Sequence, residues 1–172
     1  MGAKILETAR LELREIDAGD AAFILELVND PDWIRFIGDR GVRSLDDARG
    51  YIERGPASMY RKLGFGLWLV ARKEGDVPIG MCGLIKRDTL EHVDLGYAFL
   101  PAYRGQGYAR ESAEAARDYA FEVLGLDRLV AITDPANDPS GKLLERLGFA
   151  FEDTIPYGTQ GEVSRLYGLN TA

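Results

Sequence analysis

The hydrophobic period of the chain switches between residues 101 and 109, and no other feature limits the possible folds as strongly. Three strand-length apolar runs precede the switch, at residues 65–72, 77–87 and 93–100. After Pro101 come Arg104, Gly105, Gln106 and Gly107, and then Ala109, Ala113, Ala116, Ala120 and Phe121 recur on one face of a helix over residues 107–124. A strand that passes through a glycine loop into a helix places free backbone N–H groups and the positive end of the helix dipole at the loop, where an anion is attracted. Glycine lets the backbone approach such an anion closely, and Arg104 adds a permanent positive charge. The same spacing also serves a plain helix start with no ligand.

The flanking segments fill out the architecture. Residues 11–16 alternate apolar and polar as a half-buried strand does. Asp17 with Asp20 can cap a following helix whose apolar stripe, Phe23, Ile24, Leu27 and Val28, stops before Pro31. Ser44 with Asp47 repeats the cap ahead of Leu45, Ala48 and Ile52, and Gly55-Pro56 should end or kink that second helix. Glu74-Gly75-Asp76 joins two of the apolar runs as a hairpin, so the three runs form an antiparallel meander. Residues 128–133 make a short strand, Asp138-Pro139 starts a helix stopped by Gly148, and two strands at 149–155 and 163–169 flank a turn at 157–161. The strand-helix-strand passage needs a parallel crossover whereas the meander is antiparallel, so an α+β fold with a mixed sheet is expected.

Composition narrows the function. A chain of 172 residues, 46% hydrophobic and 28% charged, is read as a single domain over residues 1–172. Its apolar runs are too short to span a bilayer, so no membrane partner and a cytoplasmic location are expected. The net charge of −7 argues against nucleic acid, whose binding rests on lysine and arginine neutralising phosphates. One cysteine, Cys82, and one histidine, His92, leave no ligand set for a metal cluster, and no metal is expected. Among phosphate loops, a dinucleotide fingerprint starting at Gly105 would need glycine where Arg110 stands, and no stretch reads G-x-x-x-x-G-K-[ST].

Arg104-x-x-Gly107-x-Ala109 resembles the [QR]-x-x-G-x-[GA] signature of the GNAT N-acetyltransferase superfamily, here in the required place after a strand and before a helix. Segments 8–14, 29–31, 94–97, 108–111, 137–140, 144–149 and 167–169 are similar to the Rim-type branch, which includes ribosomal-protein N-terminal acetyltransferases. The resemblance implies a mostly antiparallel mixed sheet of seven strands, with about four helices packed on both faces. It also implies acetyl-CoA as co-substrate. Backbone groups of Tyr97, Ala98, Phe99 and Leu100 would pair with the pantetheine arm. Arg104 and the N–H groups of Gly105, Gln106, Gly107, Tyr108, Ala109 and Arg110 would hold the diphosphate, with Asn137 and Ser140 near the thioester.

Acyl transfer to an amine needs an unprotonated nucleophile, support for the oxyanion and a proton for the leaving thiolate. Many superfamily members place a tyrosine donor where this chain has Leu144, whereas Ser140 matches the serine of the Rim-like branch and is the candidate acid. Asp94 is the candidate base, with Glu91 and Glu111 as alternatives. Asp32, Trp33 and Phe36, within an acid-rich and aromatic segment that also holds Asp30 and Asp39, are candidates for holding a cationic acceptor. At pH 7 roughly a tenth of α-amines are neutral against about one in a few thousand lysine side chains, so an α-amine needs less help from a base. The expected activity is direct transfer of acetyl from acetyl-CoA to a primary amine, either a protein or peptide N-terminus or a small molecule, by a monomer or homodimer. The alternative is a catalytically silent acyl-CoA-binding or sensing module.

Overall fold

The computed structural model describes residues 2–158 and 160–171; Thr159, in the expected turn at 157–161, lies outside the described residues. Eight strands form one sheet: β1 (Lys4–Glu7), β2 (Leu11–Arg14), β3 (Leu67–Arg72), β4 (Val77–Ile85), β5 (Asp94–Phe99), β6 (Arg128–Thr133), β7 (Ala150–Pro156) and β8 (Val163–Asn170). Their spatial order is β1-β2-β3-β4-β5-β6-β8-β7. Every neighbouring pair is antiparallel except β5 and β6. The meander read from the sequence is β3-β4-β5.

Seven strands were expected and eight are present. The additional one, β1, has four residues, too few to show alternation, and its half-buried Ile5 and Leu6 pair back onto β2 as the edge of the sheet. The helices also outnumber the expected four, as α1 (Ala21–Val28), α2 (Pro31–Phe36), α3 (Leu45–Ile52), α4 (Ser58–Leu63), α5 (Tyr108–Glu122) and α6 (Asp138–Arg146). Two local causes account for this. Asp30 accepts a hydrogen bond from the Trp33 N–H, and Pro31 occupies the first turn, so the expected connector winds into α2. Pro56 does not end its helix, because the chain widens into a π-turn over Glu53–Ala57 that absorbs the missing N–H and continues as α4.

The predicted caps are largely in place. Asp17 and Asp20 form a reciprocal capping box and Ser44 accepts from the Asp47 N–H, whereas α6 is capped one residue earlier than expected, by Asn137 on the Ser140 N–H. Both faces of the sheet are covered. On one, α1 and α3 bury Ile24, Leu27, Ala48 and Ile52 against Leu69, Ala71 and Met81. On the other, Ala113, Ala116 and Ala120 of α5 lie against Trp68, Val70 and Ile79, together with Leu144 and Leu147 at α6. Small residues on α5 let the helix sit close to the sheet, with Trp68 edge-on to Tyr119 at a centroid distance of 5.2 Å.

The feature that positions the site is the junction of β5 and β6. They share a single ladder pair, Asp94↔Val130, and then part. Leu100 N–H donates to the Ile79 carbonyl of β4, so alternation along an antiparallel strand turns the main-chain groups of Ala98 and Gly96 toward β4 as well. The main-chain groups of Tyr97 and Phe99 therefore face the gap.

Candidate active site

A cavity of about 750 Å³ runs through that gap and reaches both faces of the sheet. Tyr97, Phe99, Gly107, Asn137 and Ser140 line one part of it, while Trp33, Phe36, Tyr51 and Met59 line the other. Of the residues expected to touch a cofactor, Leu100 and Gln106 are not in the lining. Leu100 is buried in the α1–α3 core, and the Gln106 side chain turns back to donate to the Ala102 carbonyl at 3.0 Å.

The loop is built as the sequence suggested, with one difference in the use of its charge. Gly105 and Gly107 adopt φ +75° and +84°, a region that costs other L-residues strain, and Gly107 is the N-cap of α5. The first turn of α5 has no intrahelical partners for its N–H groups, and among the described residues nothing accepts from the N–H groups of Gly105, Gln106, Gly107, Tyr108, Ala109 or Arg110. Arg104, however, points its guanidinium away from these donors. Its Nε donates to the Phe99 carbonyl at 3.0 Å, Nη2 to Asp30 at 2.7 Å and Nη1 to Asp32 at 2.6 Å. The side chain thus ties the end of β5 to the start of α2, and the anion-attracting part of the loop is its backbone.

Glu111, considered as a base, also has a structural position. Its carboxylate accepts from the Thr8 hydroxyl, from the Arg10 N–H at 3.0 Å and from Arg10 Nε at 2.7 Å. Burial opposes ionisation, but those bonds prevail and hold the group below the usual glutamate range. The Arg10 guanidinium then stacks 4.3 Å over the Tyr108 ring, fixing the loop from its far side. Cys82 is buried inside β4 and its thiol is pushed up to about 12 by desolvation, as befits a core filler.

Two hydroxyls meet at the start of α6. Tyr97 Oη lies 2.7 Å from Ser140 Oγ and also donates to the Ser140 carbonyl at 3.2 Å. Burial pushes the Tyr97 phenol upward, so it stays protonated and able to donate. Gly141 leaves room here, since a Cβ at that position would come within 2.6 Å of the Tyr167 hydroxyl. The role of Tyr97 as a hydroxyl partner is not legible in the sequence, where only its place on the strand shows.

Asp94 lies where β5 and β6 part and is almost fully buried. Desolvation raises its carboxyl above the ordinary range, opposed by Arg87, whose Nε donates to it at 2.7 Å. Arg87 Nη1 in turn donates to the Tyr157 hydroxyl at 2.6 Å. Arg87 and Tyr157 were not singled out from the sequence, although Arg87 and Asp94 flank the turn of the β4-β5 hairpin with opposite charge. Asp32, Trp33 and Phe36, the candidates for holding an acceptor, all line the cavity. Their segment is not a free acidic patch: Asp30 and Asp32 pair with Arg104, Asp39 with Arg43, and Asp46 with Arg49.

The gap thus brings together a parted strand pair, a glycine-capped helix with unpaired N–H groups and two part-buried hydroxyls. Residues 10–150 match the model of the acetyltransferase (GNAT) domain, and the chain belongs to the GNAT acetyltransferases. It is an acyltransferase of the kind that uses acetyl-CoA. A relative, the uncharacterized N-acetyltransferase YoaA of Bacillus subtilis (strain 168), is 30% identical over 152 residues, 88% of this chain and 85% of that protein. A crystal structure of an acetyltransferase from Agrobacterium tumefaciens superposes with a TM-score of 0.81 at 27% identity, covering 96% of this chain and 94% of the other. RimL, a ribosomal L7/L12 α-N-protein acetyltransferase in complex with coenzyme A, has a TM-score of 0.83 over 97% of each chain. At 18% identity that likeness shows the shared fold. Among the described residues no helix is long and apolar enough to cross a membrane, and no group of side chains is arranged to hold a metal ion.

Proposed function

We propose that this protein transfers the acetyl group of acetyl-CoA to a primary amine by direct attack, within one cavity that holds both reactants. The observation that carries the reading is the continuity of that cavity. It joins the unpaired N–H groups at the start of α5, the gap-facing backbone of Tyr97 and Phe99, the Tyr97–Ser140 hydroxyl pair and buried Asp94. The N–H groups of residues 105–110 suit a diphosphate, and the backbone of β5 suits the amides of the pantetheine arm. Asn137, through its cap on α6, holds Ser140 beside the gap.

In the proposed reaction the amine nitrogen attacks the thioester carbonyl carbon, the C–N bond forms and the C–S bond breaks. Asp94, whose burial makes it a stronger base than a surface carboxylate, takes the proton leaving the nitrogen directly or through water. The Ser140 hydroxyl, hydrogen-bonded to Tyr97, supplies the proton to the thiolate and is reprotonated through solvent, to which Asp94 gives up the proton it took. No side chain carries the acyl group, consistent with the buried, protonated state of Cys82.

The test is thiol release from acetyl-CoA by the purified protein over a panel of amino acids, short peptides and polyamines. Release that depends on the amine, with a matching acetylated product by mass, is the expected result. Tight binding of CoA with no release from any amine would replace this reading with that of a silent acyl-CoA sensor.

A further inference from the structure

The acceptor end of the cavity holds guanidinium donors that the fold leaves unused. Its carboxylates are taken: Asp30 and Asp32 by Arg104, and Asp94 by Arg87. Its arginines are not all taken. Arg40, between α2 and α3, lines the cavity and makes no ion pair or hydrogen bond with any described residue. Arg87 is anchored through Nε and Nη1, which leaves Nη2 without a partner among the described residues. Tyr51 of α3 lines the same end and feels the charge of both guanidiniums. Arg40, Arg87 and Arg104 there balance Asp30, Asp32 and Asp94 in charge, so what the fold leaves unused is the guanidinium donors of Arg40 and the Nη2 of Arg87.

We infer that the amine acceptor also carries a carboxylate, held by Arg40 and the open Nη2 of Arg87 with the Tyr51 hydroxyl beside them. The inference rests on the transferase reading above and specifies its substrate class. Guanidinium groups bind a carboxylate through several N–H donors at once. Arg87 is part-buried, where a pair is screened less than in open water, while Arg40 is exposed and reaches the cavity from its rim. Arg87 is rigidly placed by Asp94 and Tyr157, so its contribution requires little ordering on binding. The walls between the charges, formed by Phe36, Ile37 and Met59, are apolar and accommodate the body of the acceptor. A polyamine would meet two cations here, because the carboxylates of the segment around Asp32 are paired with Arg104. A free amino acid can supply this chemistry, and so can a peptide with an acidic side chain next to its N-terminus.

Two matched pairs of acceptors distinguish these sources and test the site: L-leucine against L-leucinamide, and Ala-Asp-amide against Ala-Asn-amide. In the parent protein the acidic member of at least one pair is preferred. Arg40→Ala lowers kcat/KM for that acceptor by roughly tenfold, mainly through KM, and leaves its neutral partner within about twofold. Comparing parent with variant for each acceptor cancels the different basicities of the amines. Arg40→Lys restores part of the preference, and Arg40→Glu shifts it toward the neutral member or spermidine. Calorimetric titration of the CoA-loaded protein with N-acetyl-L-leucine and with its amide gives a readout that needs no turnover. If no amine releases thiol but N-acetyl-L-leucine binds through Arg40, the transferase reading fails and the carboxylate site stands. If neutral amines or spermidine are acetylated at least as well as the acids, or Arg40→Ala affects both members of each pair alike, the site is overturned while the transferase reading stands.

Discussion

Gly107 offers a quantitative test of the loop. It sits at φ +84° as the N-cap of α5, and a Cβ built there would lie 3.2 Å from Nη2 of Arg10, the mobile end of a long side chain. The steric cost of Gly107→Ala is therefore small, and the main penalty is the left-handed backbone, about 1–2 kcal/mol. For a chain of this size that lowers Tm by roughly 2–8 °C. The alternative open to the variant is to relax φ, which swings the N–H groups on either side out of line. Losing one charge-assisted hydrogen bond to a diphosphate weakens CoA binding by about 1.5–3 kcal/mol, on the order of tenfold to a hundredfold in Kd. Gly125→Ala is the control, because Gly125 has φ +68° with nothing within 4 Å of an added Cβ and lies past the opposite end of α5. Calorimetric titration with CoA and a thermal melt on both variants separate the two effects. Similar melting losses with weakened CoA binding in Gly107→Ala alone are expected. Unchanged CoA affinity in Gly107→Ala, or an equal loss in Gly125→Ala, would refute the assignment of the loop.

Ser140→Ala is expected to lower kcat by roughly tenfold or more while CoA affinity stays within about twofold, since in the proposed reaction the hydroxyl acts on the departing sulfur; unchanged turnover would leave Ser140 with only its place in the first turn of α6. Asp94 must be deprotonated to accept a proton, and its carboxyl is raised, so the acid limb of the kcat profile should fall above the ordinary carboxylate range and disappear with the activity of Asp94→Asn. Glu111 is depressed, so its stabilisation is complete above its ordinary value of 4.5 and is lost as the pH falls through the lower folded value. Urea melts of Glu111→Gln should show a deficit of about 1–2 kcal/mol at pH 7 that shrinks below pH 4.

What the sequence disclosed depended on distance along the chain. The change of period around Pro101, the Asp17–Asp20 box and the Ser44 cap are written within a few neighbouring residues, and each is present in the fold. Asn137 was misjudged as a cap by a single position, because Asn and Asp stand side by side before Pro139 and both types favour that role. β1 was overlooked because four residues carry no period, and α2 because its signal was one aspartate and one proline. The functional detail was less legible. Arg104 looked like a phosphate ligand until folding brought Asp30 and Asp32 to it from more than 70 residues away. The likeness of residues 104–109 to a family motif agrees with the family to which the chain belongs, but no local pattern discloses which cations remain unpaired, since that depends on every carboxylate in the neighbourhood.

The parting of β5 from β6 after one shared pair makes the sheet permeable at its centre. A continuous sheet would wall off the helices on one face from those on the other, and a reactant bound at α5 could never meet one bound beside α2. Here the barrier has a slot, framed by Asp94 at its closed end and by the α5 loop at its mouth. In the reaction proposed above, two molecules would dock from opposite sides without competing for space, with only their reacting ends coming together in the slot. If the proposed placement holds, such a layout lets the helices beside α2 diverge in sequence to suit new acceptors while the loop side stays unaltered.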